Sequence, residues 1–220
     1  MKMGGMDIYL TSAYLAPVQY YTKYISADRI FIERCENYQK QSYRNRCHIV
    51  SANGMIPLSI PVEHSSKEKV LTKDIRIALH GKWQHVHWNA IVSAYNSTPF
   101  FEYYRDDFYS FYHKEYSFLF DFNQELNNLI LELLDIDLPQ MIYTEEYKPD
   151  VDIVGLDFRN SIHPKKEWGD YDKEFIPHPY YQVFDQKFGF IPNISIIDLL
   201  FNMGNESQII LSSSLLAGQR

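Results

Sequence analysis

The 220-residue sequence holds 9 glycines and none of them builds a phosphate-cradling loop, because neither G-x-G-x-x-G nor G-x-x-x-x-G-K-[ST] occurs. The two commonest backbone cradles for nucleotide phosphates are thereby excluded. Cysteine is scarcer still: Cys35 and Cys47 are the two in the chain, and they form no C-x-x-C pair. A zinc cluster built on cysteine is therefore unsupported, as is a zinc-protease helix, since H-E-x-x-H is also missing. The spacing of the two thiols leaves a disulfide open. No apolar run approaches the roughly 18 residues of a membrane span. The opening MKMGGMDIYL lacks the apolar stretch of a secretory signal. Positive charge is in deficit, with 21 Lys and Arg against 28 Asp and Glu for a formal net charge of −7. Such a surface disfavours general affinity for nucleic acid or anionic membranes. These absences predict a cytoplasmic protein with reduced thiols, no membrane span, no metal, no cofactor and no nucleic-acid partner.

What is abundant is aromatic. Tyr and Phe number 18 and 14, and hydrophobic residues make up 45% of the chain, enough to bury a sizeable core. Tyrosine joins flat apolar area to a hydroxyl, which suits pockets and interfaces as well as cores. No linker, repeat or low-complexity tract divides the sequence, so residues 1–220 are expected to form a single domain.

The N-terminal third alternates in type. DIYLTS (7–12) and RIFIER (29–34) are short apolar strands, and Pro17 opens a helix over VQYYTKYIS between them. A helix joining two short strands predicts parallel pairing and a Rossmann-like parallel core of the α/β class. CHIVSANGMIPLSIPVEH then predicts a hairpin turning at Asn53-Gly54 in a type I′ turn, with Pro57 and Pro61 making the second strand an edge or an irregular one. DIRIAL (74–79) alternates like a further strand. Beyond residue 82 the sequence predicts a helical C-terminal half packed on the core: Trp83, His87, Ala90, Ile91 and Ala94 share one helical face, a long aromatic segment follows Pro99, and NQELNNLILELLDI (123–136) is strongly periodic. MIYTEEY reads as one short strand. In SIIDLLFNMG, Ser195 and Asp198 have capping-box spacing and Gly204 stands as a C-cap.

Against the acidic background, ENYQKQSYRNRCHIV (36–50) is cationic, and it lies just past the carboxyl end of a strand, where open α/β sheets place ligands. Lys40, Arg44 and Arg46 are candidate anion contacts, arginine acting bidentately, with Arg46 the leading one. Tyr43 and Asn45 add neutral donors. Arg159, His163, Lys165 and Lys166 form a second basic island, and the expectation is that it folds over the first and contacts the same anion. The alternative for both islands is a solvated loop, with the first pairing to Glu33 and Glu36. Tyr14, Tyr20, Tyr38 and Tyr95 could stack on a sugar or a base. His85 and His87 point about 200° apart on a helix and cannot share a metal. His87 shares its face with Trp83, which makes a core histidine the leading reading and a general acid–base group the other. Asp198, the second candidate catalytic group, is a first-turn carboxylate favoured by the helix dipole unless it faces a site. Cys47, between Arg46 and His48, reads as a buried thiol ahead of a thiolate nucleophile.

Several segments together resemble the WbqC-like family of bacterial proteins. They are Tyr14-Leu15-Ala16-Pro17 with Tyr20-Tyr21, Ala27-Asp28, Glu36-Asn37-Tyr38-Gln39-Lys40 with Asn45-Arg46, Leu58-Ser59-Ile60-Pro61-Val62, His87-Trp88, Ser93-Ala94-Tyr95 with Pro99-Phe100-Phe101, Arg159-Asn160-Ser161-Ile162-His163-Pro164-Lys165, and Ile194 through Phe201. They span nearly the whole chain in order. Relatives often carry Gln-Pro before the Tyr-Leu-Pro element, where this sequence has Thr11-Ser12-Ala13. The family is named for a member encoded among O-antigen biosynthesis genes. The resemblance implies an enzyme of surface-polysaccharide assembly that transfers a group to a sugar or amino sugar, using a phosphorylated or nucleotide-activated ligand. The competing expectation is a non-catalytic binding or scaffold protein of the same pathway. A preformed pocket where residues 38–48 meet 159–166 would favour the enzyme, and a flat aromatic patch the scaffold. The partner expected is thus a small anionic ligand, and a homo-oligomer is left open.

Overall fold

A computed structural model describes residues 6–63 and 69–216. The first strand, β1 (Asp7–Thr11), leads through Pro17 into helix α1 (Val18–Ser26) and on to β2 (Arg29–Glu33). The two strands pair in parallel with Tyr9 opposite Phe31 and Thr11 opposite Glu33. Their alternation sorts the side chains: Ile8, Leu10, Ile30 and Ile32 enter the hydrophobic core with Tyr20, Tyr21 and Tyr24 of α1, while Tyr9, Phe31, Thr11 and Glu33 occupy the opposite face.

The sheet is completed from far along the chain. After the hairpin strands β3 (Arg46–Ser51) and β4 (Gly54–Ser59) come helices α2 (Trp83–Tyr95), α3 (Phe101–Tyr109) and α4 (Leu119–Leu133). Strand β5 (Gln140–Tyr143) then pairs parallel with β2, and the two-residue β6 (Leu156–Asp157) pairs parallel with β1. Short helices α5 (Trp168–Tyr171) and α6 (Asp185–Phe188) precede α7 (Ile196–Met203) and α8 (Ser207–Ser213). The architecture is α/β, a four-stranded parallel sheet in the order β5-β2-β1-β6 with helices packed on it. Because all pairings are parallel, Thr11, Glu33, Tyr143 and Asp157 end their strands on one edge. The chain builds outward from β1 through β2 to β5 and then crosses to β6 on the other side of β1. The order therefore reverses between β1 and β6, the kind of switch point at which open parallel sheets hold ligands. Among the described residues no helix is long and apolar enough to cross a membrane.

Three local expectations change. The hairpin forms in the expected place, but Ser51 pairs with Gly54, which puts Ala52 and Asn53 in the turn. Neither has a positive φ, whereas Gly54 has φ 103°, so the glycine follows a common turn instead of forming half of a type I′ pair. Residues 74–79 form no continuous strand. Arg76 and Ile77 make single bridges, to Phe118 on one side and Val62 on the other, so the backbone is satisfied piecemeal between two extended segments. The capping box at α7 is also not formed. The Ser195 hydroxyl donates to the Leu15 carbonyl (2.9 Å), tying α7 to the loop after β1, and Asp198 turns inward.

Candidate functional site

The loop after β2 opens with acids. Glu33, the last residue of β2, is fully buried, and Glu36 nearly so. Burying a carboxylate is costly unless it is paired and hydrogen-bonded, and each of these has an arginine. Arg44 Nε and Nη2 donate to the two oxygens of Glu36 at 2.7 and 2.6 Å, a bidentate fork to which the Thr11 hydroxyl adds a third bond. Arg159 Nη1 donates to Glu33 (3.1 Å), while its Nε and Nη2 clasp Asp157 at 2.9 and 2.7 Å. Asp150 and the Lys148 carbonyl take the remaining Arg159 donors. Glu33 also accepts from the Cys35 amide and the Thr144 hydroxyl. Burial opposes charge on Arg159, but the Asp157 hydrogen bonds outweigh it and hold the guanidinium pKa above its ordinary value. On Asp157 burial pushes the other way, and the same bonds win, lowering its pKa.

Two arginines thus face four carboxylates at the carboxyl edge of the sheet. Arg44 and Arg159 are each 1% exposed, with Nε and Nη2 of Arg44 and all three guanidinium nitrogens of Arg159 donating to the protein. They brace the site from within, and a ligand would have to displace a carboxylate to reach them. The solvated-loop alternative holds in part: Arg44 does pair with Glu36, but in a buried contact, while Lys40, Lys165 and Lys166 are exposed.

The two basic segments do come together. Arg44 Nη2 lies 3.4 Å from the Arg159 carbonyl, the Gln39 amide donates to Asn160 Oδ1 (2.8 Å), and Lys165 Nζ donates to Gln41 Oε1 (2.6 Å). Where they meet, a polar cavity of about 160 Å³ is lined by Glu36, Asn37, Gln39, Tyr147 and Asn160. It sits beside the β1/β6 switch point, since Glu36 bonds Thr11 at the end of β1 and Asn160 follows β6. Its lining is amide, phenol and one carboxylate. The cations of the two segments stand outside that lining: Lys40 is exposed, and Lys165, also exposed, is held by Gln41. His163 is half-buried, and desolvation together with the charges of Lys166, Arg44 and Lys165 lowers its pKa, so it is neutral near pH 7.

The remaining predicted residues lie elsewhere. Arg46 opens β3 and donates from Nε to the Ser59 hydroxyl across the hairpin (2.9 Å), and the Asn45 amide donates to the Ile60 carbonyl (2.8 Å). Tyr38 is half-buried, and burial pushes its pKa up to about 12. Tyr14 and Tyr95 have no exposed surface. Neither presents a ring to a ligand: Tyr95 packs edge-on against Phe201, and the Tyr14 hydroxyl lies 2.9 Å from both His87 Nδ1 and the Tyr112 hydroxyl. His87 is therefore the core histidine that its helical face suggested, and desolvation lowers its pKa to about 4. Asp198 is buried too. It accepts from the Tyr180 hydroxyl (2.8 Å) and the Gln182 amide (2.9 Å), and burial raises its pKa to about 6. Neither His87 nor Asp198 lines the polar cavity. Cys35 and Cys47 are free and buried, and burial pushes the Cys47 thiol up, away from a thiolate.

Sequence reasoning missed Gln39, Asn160 and Tyr147 as cavity residues and Asp157 as a brace. The signal for Asp157 and Arg159 was their i, i+2 spacing past a short apolar run, which puts both at a strand's carboxyl end. A family model described as the WbqC-like protein family matches residues 12–153, including every cavity residue but Asn160. No curated protein and no solved structure matches the chain.

Proposed function

Since the chain belongs to the WbqC-like protein family, we propose that it is an enzyme of cell-surface polysaccharide biosynthesis, transferring a group to a sugar or amino sugar with a phosphorylated or nucleotide-activated ligand. It would work in the cytoplasm, where such activated donors are made. The observation that carries this reading is the amide-lined cavity at the switch point. Asn37, Gln39, Asn160 and Tyr147 offer neutral donors and acceptors, the chemistry that recognises hydroxyl and acetamido groups. Lys40, next in sequence to Gln39, and Lys165, bonded to Gln41, stand outside the lining as the cations that would meet a phosphate extending from it. This revises the expected division of labour: the amides hold the sugar, and the two buried arginines hold the amides' loops. On this reading Glu36, the carboxylate in the lining, is the group that accepts a proton from an attacking hydroxyl or amine.

A second reading, a binding protein without catalysis, is favoured by the tie between Glu36 and Arg44, which leaves the carboxylate little freedom to act as a base. Product formation from a nucleotide sugar and an acceptor separates the two. The binding claim common to both is tested by a thermal-shift screen against nucleotide sugars and sugar phosphates, because a ligand of the native state raises its stability. Gln39→Ala and Asn160→Ala should each weaken the best ligand by about three- to tenfold, the loss of one neutral hydrogen bond of about 0.5–1.5 kcal/mol. An undiminished stabilisation in both variants would remove the cavity from the account.

A further inference from the structure

A second cavity of about 250 Å³ opens on the face of the sheet that the core does not cover. Its floor is the row in which Tyr9 pairs with Phe31 and Phe31 with Ile142 across β1, β2 and β5. The Tyr9 and Phe31 rings stack with centroids 4.5 Å apart and planes within 8°. The stack continues outward from Tyr9, with the Arg159 guanidinium 5.9 Å from its ring and 4.9 Å from that of Tyr147. At β5 the row ends in Ile142, an aliphatic side chain shorter than the rings, and Glu33, Tyr143 and Thr144 line the cavity with it. Glu145, Glu146 and Lys148 form its rim. Tyr147 and Lys148 are consecutive, and Tyr147 lines the polar cavity while Lys148 lines this one, so one short segment walls both.

We propose that this second cavity binds a nucleobase carrying an exocyclic amine. A flat ring extends a parallel aromatic stack at little cost, since every base offers a π-face. The rim carboxylates select among bases. They accept from N–H groups, as carboxylates do from the cytosine N4 amine, and uracil and thymine have no such amine. Lys148, the cation of this lining and the neighbour of Tyr147 in the polar cavity, is the group that would meet a phosphate joining the two. Neither cavity alone reaches the roughly 300–1,000 Å³ of a small-molecule site, but the two together do. This deepens the nucleotide-activated-ligand reading and rests on it for the base's place in a larger ligand.

The test is titration calorimetry of the intact protein with CMP, GMP, UMP and dTMP. CMP and GMP should bind at least tenfold more tightly than UMP and dTMP. Ile142→Trp, which fills the cavity, should abolish that binding with the circular dichroism spectrum unchanged, and Glu145→Gln with Glu146→Gln should erase the preference without needing any change in packing. Equal affinity for all four, no affinity for any, or full binding by Ile142→Trp overturns the proposal. The failure modes are separable. Nucleotide-sugar binding that survives Ile142→Trp but not Asn160→Ala sinks this inference and keeps the polar site. Binding of CMP or GMP lost in Ile142→Trp, with Gln39→Ala and Asn160→Ala silent towards every sugar, does the reverse.

Discussion

Between about pH 4 and 6.5, two buried side chains pull the stability in opposite directions. His87 has its folded pKa lowered by burial to about 4, so in this window the unfolded chain binds more protons. Its contribution is fully present above the unfolded value and is lost as pH falls. Asp198 has its folded pKa raised by burial to about 6, so there the folded chain binds more protons. Its contribution is present below the unfolded value and is lost as pH rises. At about 1.4 kcal/mol per unit each effect is of order 3 kcal/mol, and the two largely offset. Asp198→Asn should therefore make stability climb with pH from 4 to 6.5, and His87→Gln should make it fall over the same range. Urea unfolding at several pH values measures both slopes, and a flat profile in either variant contradicts the burial argument. His87 was legible in the sequence because it shared a helical face with Trp83. Asp198 was not, because its partners Tyr180 and Gln182 come from a loop whose approach no local pattern announces.

The segment between β2 and β3 has no regular structure of its own and is held by the Arg44–Glu36 pair. Removing one partner of a buried pair strands the other, at about 3–5 kcal/mol. Arg44→Ala should lose that much in denaturant unfolding, while Arg44→Met combined with Glu36→Gln should recover most of it. A loss under 1 kcal/mol in the single variant would mean that the pair is solvated. The elements themselves were readable where pattern and length agreed: β1, α1 and β2 stand within a residue of their expected bounds, since Pro17 fixed the helix start and the Ile-rich runs fixed the strands. The sheet's outer strands were harder. Strand β6 has two residues, too short for any periodicity, and exists because β1 offers it a free edge. Residues 74–79 had the alternation of a strand, but the chain supplied no continuous partner.

Taken whole, the molecule carries its negative charge up to the site. The basic islands at 36–50 and 159–166 suggested an anion pocket because cations stood out against a net charge of −7. Sequence could place the first island past the carboxyl end of a strand and led to the expectation that the second folds over it. It could not show that Glu33, Glu36, Asp150 and Asp157 would consume the arginines, because that depends on β1, β2 and β6 ending on one edge. The central claim is that the cavity between residues 36–39 and Asn160 is where the protein meets its ligand. Backbone amide chemical-shift mapping with a panel of nucleotide sugars tests it most directly. The account predicts that the binding members shift Asn37, Gln39, Tyr147 and Asn160 while leaving the amides around His87 and Asp198 in place. Shifts gathered at the hairpin around Arg46, or none at the carboxyl edge with any ligand that binds, would contradict it.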